Sequence, residues 1–237
     1  MIHQAGARSY EHSSDLAAGA ADTTVNYALE LDAVTWGTGD RPLLAGVTIG
    51  LAEGSFTSLF GRRGAGKSAV LACAAGVERP DSGSVWLYDR EVTEYEPGNL
   101  PLALLTGDLR PDPAKTLRDQ LNGTADAAWL EALAGWLDLT GSLDRYPGQV
   151  PAEVGHRAAV AAALAGRPGV VLADEPSDER VIRLLRRLVD LHERTVLMAT
   201  ADPAVAATAD VVVFLGEGRL VDAVSAPSAE LIEGYQD

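Results

Sequence analysis

Polar and apolar residues alternate from Tyr27 to Val34 and again from Leu44 to Leu51, the period of strands with one buried face. Trp36-Gly37-Thr38-Gly39-Asp40 between them is a cluster of turn residues, so an antiparallel pair opens the sheet. Ser55 to Phe60 reads as a short buried strand, and Ser68 to Ala75 as a helix that Gly76 stops. Arg79-Pro80-Asp81-Ser82-Gly83 turns the chain into a strand at Ser84 to Tyr88, and Leu102 to Leu105 is another short buried strand. From Thr116 to Gly166 the period lengthens. Leu117, Leu121, Trp129, Leu130, Leu133, Trp136 and Leu137 fall at helical spacing, and Pro147, Gly148 and Pro151 separate them from a second helix, Glu153 to Ala165.

Val170-Val171-Leu172-Ala173 is an apolar run ended by Asp174-Glu175, the pattern of a central parallel strand. An amphipathic helix follows, with Val181, Ile182, Leu184, Leu185, Leu188 and Val189 inside and Arg183, Arg186 and Arg187 outside. Thr195 to Thr200 and Val211 to Leu215 close the sheet, and Arg219 to Val224 adds an edge strand. The pattern predicts an α/β fold: a mixed sheet core, an antiparallel β-subdomain, and a helical subdomain at about 108–166.

Composition narrows the classes. A chain of 237 residues, 47% hydrophobic, suits one large α/β domain or a domain with a subdomain. A net charge of −15 opposes a general nucleic-acid or anionic-lipid surface, so no nucleic-acid partner is expected. Cys73 is the only cysteine, which excludes a disulfide framework and a Cys-based metal site. No apolar run approaches a membrane span. Residues 1–26 lack the hydrophobic centre of a signal peptide and read as a flexible extension on a cytoplasmic protein, with the domain itself at 27–237.

The chemistry centres on Gly61-Arg62-Arg63-Gly64-Ala65-Gly66-Lys67-Ser68, which fits the P-loop spacing between a strand and a helix. Glycines there let backbone N–H groups turn inward around a phosphate, the helix N-terminus adds its positive end, and Lys67 brings charge to the β and γ oxygens. Lys67 is one of only two lysines, the other being Lys115. Ser68 can hold Mg²⁺, which prefers oxygen ligands beside phosphates. Asp174, about a hundred residues later at a strand end, fits the carboxylate that holds Mg²⁺, and Glu175 a base that polarises water.

With these two motifs the sequence resembles the ATP-binding cassette (ABC) family of ATPase domains over about residues 28 to 224. The likeness is carried by the P-loop, Arg79 to Val85, Tyr146-Pro147-Gly148-Gln149, Leu164 to Pro168, Leu172-Ala173-Asp174-Glu175-Pro176, Ala209-Asp210 and Gly216 to Val221. Among subgroups it looks most similar to bacterial lipoprotein-release and macrolide-export ATPases. The resemblance implies ATP and Mg²⁺ as cofactors, a membrane permease subunit as partner, a homodimer or heterodimer with a second cassette, and a peripheral place on the inner face of the cell membrane. It places Trp36 where an aromatic ring stacks on adenine, although a Trp covering the core beside a turn reads the same way. It also assigns Ala69 a position near the α-phosphate, where a hydroxyl residue is usual.

The sequence departs from the family at several points. The Leu-Ser-Gly-Gly-Gln segment that one cassette offers to the other's nucleotide is Val150-Pro151-Ala152-Glu153-Val154 here. The serine hydroxyl is gone, Pro151 has no N–H, and Glu153 brings a carboxylate toward a γ-phosphate. Gly107 occupies the place of a glutamine, Ala201 that of a switch histidine, and Ser177-Asp178-Glu179 shortens the dimer-contact loop. His3, His12, His156 and His192 lie elsewhere. The expectation is an ATP-binding transporter subunit with weak or absent hydrolysis. Two alternatives stay open: an active transport ATPase with Glu175 catalytic, and a non-transport nucleotide-binding regulatory module.

Overall fold

The computed structural model describes residues 25–38, 42–95, 100–121 and 126–235. The expected extension at 1–26, except Val25 and Asn26, lies outside the described residues, as do Gly39, Asp40, His3 and His12. β1 (Tyr27–Trp36) and β2 (Leu44–Ala52) pair antiparallel, with Leu31 opposite Ile49. β3 (Phe56–Phe60) is buried throughout and leads into α1 (Lys67–Ala74). β4 (Ser82–Leu87) returns antiparallel to β1, and the two-residue β5 (Arg90–Glu91) pairs with it. β6 (Leu102–Leu105) then enters the second sheet.

The next stretch is helical but broken: α2 (Leu117–Leu121), α3 (Ala127–Trp136), 3-10 turns at Thr140–Ser142 and Pro147–Gln149, and α4 (Ala152–Leu164). β7 (Val170–Asp174), α5 (Glu179–His192), β8 (Thr195–Thr200), α6 (Pro203–Ala206), β9 (Val211–Gly216), β10 (Arg219–Ser225) and α7 (Ala229–Glu233) complete the chain.

The four-stranded sheet has the order β2-β1-β4-β5, and the six-stranded sheet β10-β9-β3-β8-β7-β6. In the larger sheet β9, β3, β8, β7 and β6 run parallel and β10 returns antiparallel to β9. Alternation along these strands splits the core. On β7, Val170 and Leu172 face the cluster shared with β1, β2, β4 and α1, while Val171 and Ala173 face the cluster shared with α2 to α5. Being buried on both faces is why β7 and β8 read as near-continuous apolar runs, whereas β3 also buries Thr57 and Ser58.

Caps fix where the helices begin. Asp126, Asp178 and Asp202 accept hydrogen bonds from Ala128 N, Arg180 N and Ala204 N at 2.9, 2.8 and 2.8 Å. α4 instead has Pro151 at its N-cap, without a side-chain cap, and carries Glu153 in its first turn, where a negative charge meets the helix dipole favourably. The helical stretch is fastened to the core at two points. Trp129 of α3 donates its Nε1–H to Leu164 O at 3.1 Å and meets His192 of α5 edge-on, with ring centroids 5.0 Å apart. Arg157 of α4 reaches Asp178 at 3.3 Å, an ion pair whose side chains are 9% and 20% exposed.

Candidate functional site

Three loops leave one edge of the larger sheet. Phe60 lies in register with Thr200, and Ala199 with Asp174, so the P-loop, the Asp174-Glu175 corner and the Ala201 turn start side by side at parallel strand ends. In parallel α/β sheets such ends form the binding crevice.

The P-loop is bent by its glycines for different reasons. Gly64 and Gly66 hold φ of 85° and 105°, in the left-handed region that favours glycine. Gly61 needs its missing side chain instead, because a Cβ there would come within 2.4 Å of Leu215 O. A Cβ on Gly66 would sit 3.0 Å from Leu44 Cδ2 and 3.2 Å from Leu43 O. This contact ties the loop to the region of Trp36, whose carbonyl accepts from Leu43 N at 2.8 Å. Trp36 itself is partly buried and packs against the first core cluster. Arg62 and Arg63 are exposed, Ala65 and Ala69 buried, and Ser68 exposed at the start of α1.

Lys67 is 4% exposed and fully engaged. Its ammonium donates to Gly61 O at 2.6 Å and Arg62 O at 3.2 Å, and it stands 3.1 Å from Glu175 Oε1. Glu175 takes φ 48°, a left-handed value unusual for a side-chain-bearing residue. Its own N–H donates to Ala199 O at 2.9 Å, and the Ala201 N–H donates to its Oε2 at 3.3 Å. Sequence reasoning found Glu175 but not this amide, because a backbone donor leaves no trace in residue identity.

Asp174 is half-buried. Burial pushes its carboxyl above the usual carboxylate range; the Ser68 hydroxyl opposes the shift, Glu175 adds to it, Lys67 opposes and Asp108 adds. Its Oδ1 is buried without a hydrogen-bond partner. An orphaned carboxylate oxygen beside a hydroxyl suits a hard cation that brings its remaining ligands on a phosphate and water. Among the described residues no group of three or more His, Cys, Asp and Glu side chains is arranged to hold a metal.

Beyond β3, on the flank away from β7, a cleft of about 370 Å³ is lined by Arg62, Arg63, Phe214, Glu217, Val221 and Tyr235. Tyr235 stacks on Phe214 with centroids 3.9 Å apart. The P-loop and the β9–β10 turn line most of this cleft, and Tyr235, just past α7, is the residue the sequence pattern did not announce. Glu153 is exposed in the first turn of α4, and an added Cβ on Gly107 would meet nothing within 4 Å. His156 lies in α4 with Nδ1 3.3 Å from Leu109 O, and His192 ends α5, so neither enters the site.

The family described as ABC transporter matches residues 44–178, more than half of the chain. This chain belongs to the ABC transporter family. The methionine import ATP-binding protein of Mesorhizobium japonicum is 29% identical to the cassette over 206 residues, covering 78% of this chain and 56% of the relative. The aliphatic sulfonates import ATP-binding protein of Burkholderia cenocepacia is 34% identical over 211 residues, covering 84% of this chain and 64% of the relative. The cassette thus spans somewhat under two thirds of the length of these relatives. Among solved structures, an ATP-binding subunit of an ABC transporter superposes with a TM-score of 0.76 at 20% identity, covering 88% of this chain and 98% of that one. A dimeric bacterial ABC transporter cassette gives 0.73 at 21% identity, covering 84% and 99%. These structures share the α/β cassette fold, with its mixed sheet and separate antiparallel sheet.

Proposed function

We infer that this protein is the ATP-binding subunit of an ABC transporter, holding Mg-ATP at the P-loop and docking on a membrane permease. The observation that carries this reading is the convergence of Lys67, Ser68, Asp174 and Glu175 at adjacent strand ends. Lys67 and the backbone of residues 61–69 would hold the phosphates, Ser68 and Asp174 the Mg²⁺, and Trp36 the adenine. Mg²⁺, when bound, supplies charge stabilisation at the phosphates. Among the described residues no helix is long and apolar enough to cross a membrane, and this reading assigns the membrane span to a permease partner. The relatives' names favour an import system, so the reading moves toward import cassettes and away from the lipoprotein-release and macrolide-export subgroup that the motifs favour.

Hydrolysis is proposed to be weak or absent. A second cassette facing the nucleotide would present Pro151 and Glu153 where a hydroxyl and glycines are needed, and Gly107 and Ala201 offer no side chain to water or phosphate. Loss of one such donor costs about 100–1000-fold in rate. A working ATPase is the second reading, and the Ala201 N–H on Glu175 favours it, since that amide can orient the base.

The test is Mg-ATP binding and turnover by the wild type, Lys67→Ala and Glu175→Gln. Binding that needs Lys67, with wild-type turnover no higher than that of Glu175→Gln, supports the impaired subunit. Turnover that both substitutions abolish would establish the working ATPase.

A further inference from the structure

The cleft beyond β3 inverts the charge of the chain around it. The protein carries −15 overall, yet the cleft is lined by two arginines, Arg62 and Arg63, against one acid, Glu217. Asp222 accepts the Tyr235 hydroxyl nearby but does not line it. The rest of the lining is largely apolar. Tyr235 lies nearly flat on Phe214, with 21° between the rings, and Phe60 meets Phe214 edge-on at 5.8 Å. Phe214 covers one face of Tyr235, which is still 45% exposed, and Val221 beside it is 68% exposed. The walls hold one another in place. Gly61 abuts Leu215 O, and Gly218 N donates to Ala65 O at 3.0 Å, so the P-loop and the β9–β10 turn are tied together. Lys67, Ser68, Asp174 and Trp36 do not line this cleft, which sets it apart from the phosphate, metal and adenine positions proposed above.

We propose that this cleft is a second ligand site, which takes a small aromatic anion: a flat ring system carrying a carboxylate, sulfonate or phosphate. Its volume of about 370 Å³ lies in the range of small-molecule sites, which pair apolar walls with a few placed polar groups. The ring gains contact with the free side of Tyr235 and with Val221, surface that is otherwise left to water. The anionic group meets Arg62 and Arg63, whose planar guanidinium forks suit paired oxygens. Neither half of the ligand suffices alone. Inorganic phosphate would forgo the aromatic contact, and a neutral arene would leave the arginines without a counter-charge. The nucleotide reading uses the backbone of the P-loop and Lys67, so these two side chains stay available, and the cleft can be occupied whether or not nucleotide binds. With both bound, the two anions stand on opposite sides of one loop and repel, so each weakens the other modestly and reciprocally.

Fluorescence titration of the full chain with anilinonaphthalene sulfonate, an aromatic anion that brightens in apolar surroundings, tests this. The probe is expected to bind, and Arg62→Ala/Arg63→Ala together should weaken it about tenfold or more. Tyr235→Ala should do the same, but it also loosens the end of α7, so the exposed arginine pair decides, with melting temperature confirming that the variant is folded. Naphthalene sulfonate should compete with the probe, whereas naphthol and inorganic phosphate at equal concentration should not. Competition by phosphate would reduce the site to an anion contact, and competition by naphthol to an apolar patch. Either result overturns the proposal, as does probe binding that is absent or indifferent to the arginine pair. Saturating Mg-ATP should leave the probe bound, weakened by no more than about threefold. Complete displacement would place the probe in the nucleotide site and overturn the proposal. A chain that binds the probe through Arg62 and Arg63 but binds no nucleotide upholds the cleft and overturns the nucleotide reading instead.

Discussion

Lys67 Nζ stands 3.1 Å from Glu175 Oε1, so the cation proposed to hold a phosphate is already engaged by the residue proposed to activate water. Lys67 is 4% exposed and the glutamate side chain 47%, so breaking the pair strands a buried charge rather than an exposed one. Glu175→Gln is expected to lower apo stability by about 1 kcal/mol, discounted for the exposed partner. That corresponds to a fall of about 2–4 °C in the melting temperature of a domain this size. Mg-ATP should restore the loss, because phosphate replaces the missing carboxylate. Thermal unfolding with and without Mg-ATP checks this, and a variant that melts like the wild type in both conditions refutes it.

Arg157 and Asp178 join the helical stretch to the start of α5. Asp178 does double service, since its Oδ1 caps the helix through Arg180 N at 2.8 Å while its Oδ2 meets Arg157. Arg157→Ala should cost about 3–5 kcal/mol by leaving the carboxylate poorly compensated in a mostly buried place. Asp178→Ala should cost about 1 kcal/mol more for the lost cap. Urea denaturation of both single variants and the double variant measures the coupling. Additive losses would show that the ion pair carries none of the attachment.

Much of this fold was legible because its strands are buried on both faces and its motifs lie at their ends. Leu102–Leu105 is a strand with the bounds its apolar run suggests, and Asp174 ends its strand as expected. The two-residue β5, the four-residue α6 and the five-residue α7 escaped notice because none is long enough to show a period. The helical stretch hid its 3-10 turns, since Thr140–Ser142 and Pro147–Gln149 are three residues each, too short to show a period. At the site, Lys67, Ser68, Asp174 and Glu175 could be named from spacing alone. Their mutual arrangement could not, because the 3.1 Å ion pair and the Ala201 amide depend on strand register.

Gly61 supports a prediction about loop position. A Cβ there would lie 2.4 Å from Leu215 O, whereas one on Gly64 would meet nothing within 4 Å but inherit a φ of 85°. Gly61→Ala must therefore push the loop away from β9, costing about 1–3 kcal/mol as overpacking does. Gly64→Ala should cost about 1 kcal/mol of backbone strain. Nucleotide affinity should fall about tenfold or more in Gly61→Ala, because Lys67 is anchored to Gly61 O. Isothermal titration against denaturation midpoints separates the two effects, and unchanged affinity in a destabilised Gly61→Ala would break the link.

Tyr235 donates its hydroxyl to Asp222, fastening the end of the chain's described part to β10. This hydrogen bond, helped by the Ala223 N–H, holds the Asp222 carboxyl below its usual range, and the same bond holds the Tyr235 phenol above its own. The signs then oppose one another. Stabilisation from Asp222 is present above its ordinary value near 3.8 and is lost as pH falls through the lowered folded value. Stabilisation from Tyr235 is present below its ordinary value near 10.0 and is lost as pH rises through the raised folded value. Attachment of α7 should therefore hold across the neutral range and loosen on both flanks. Hydrogen exchange at residues 230–235 should speed up at both extremes in the wild type. In Tyr235→Phe, which keeps the ring stacked on Phe214, exchange corrected for its intrinsic pH dependence should lose both flanks. Flanks that persist in Tyr235→Phe would mean that some other contact carries the pH response.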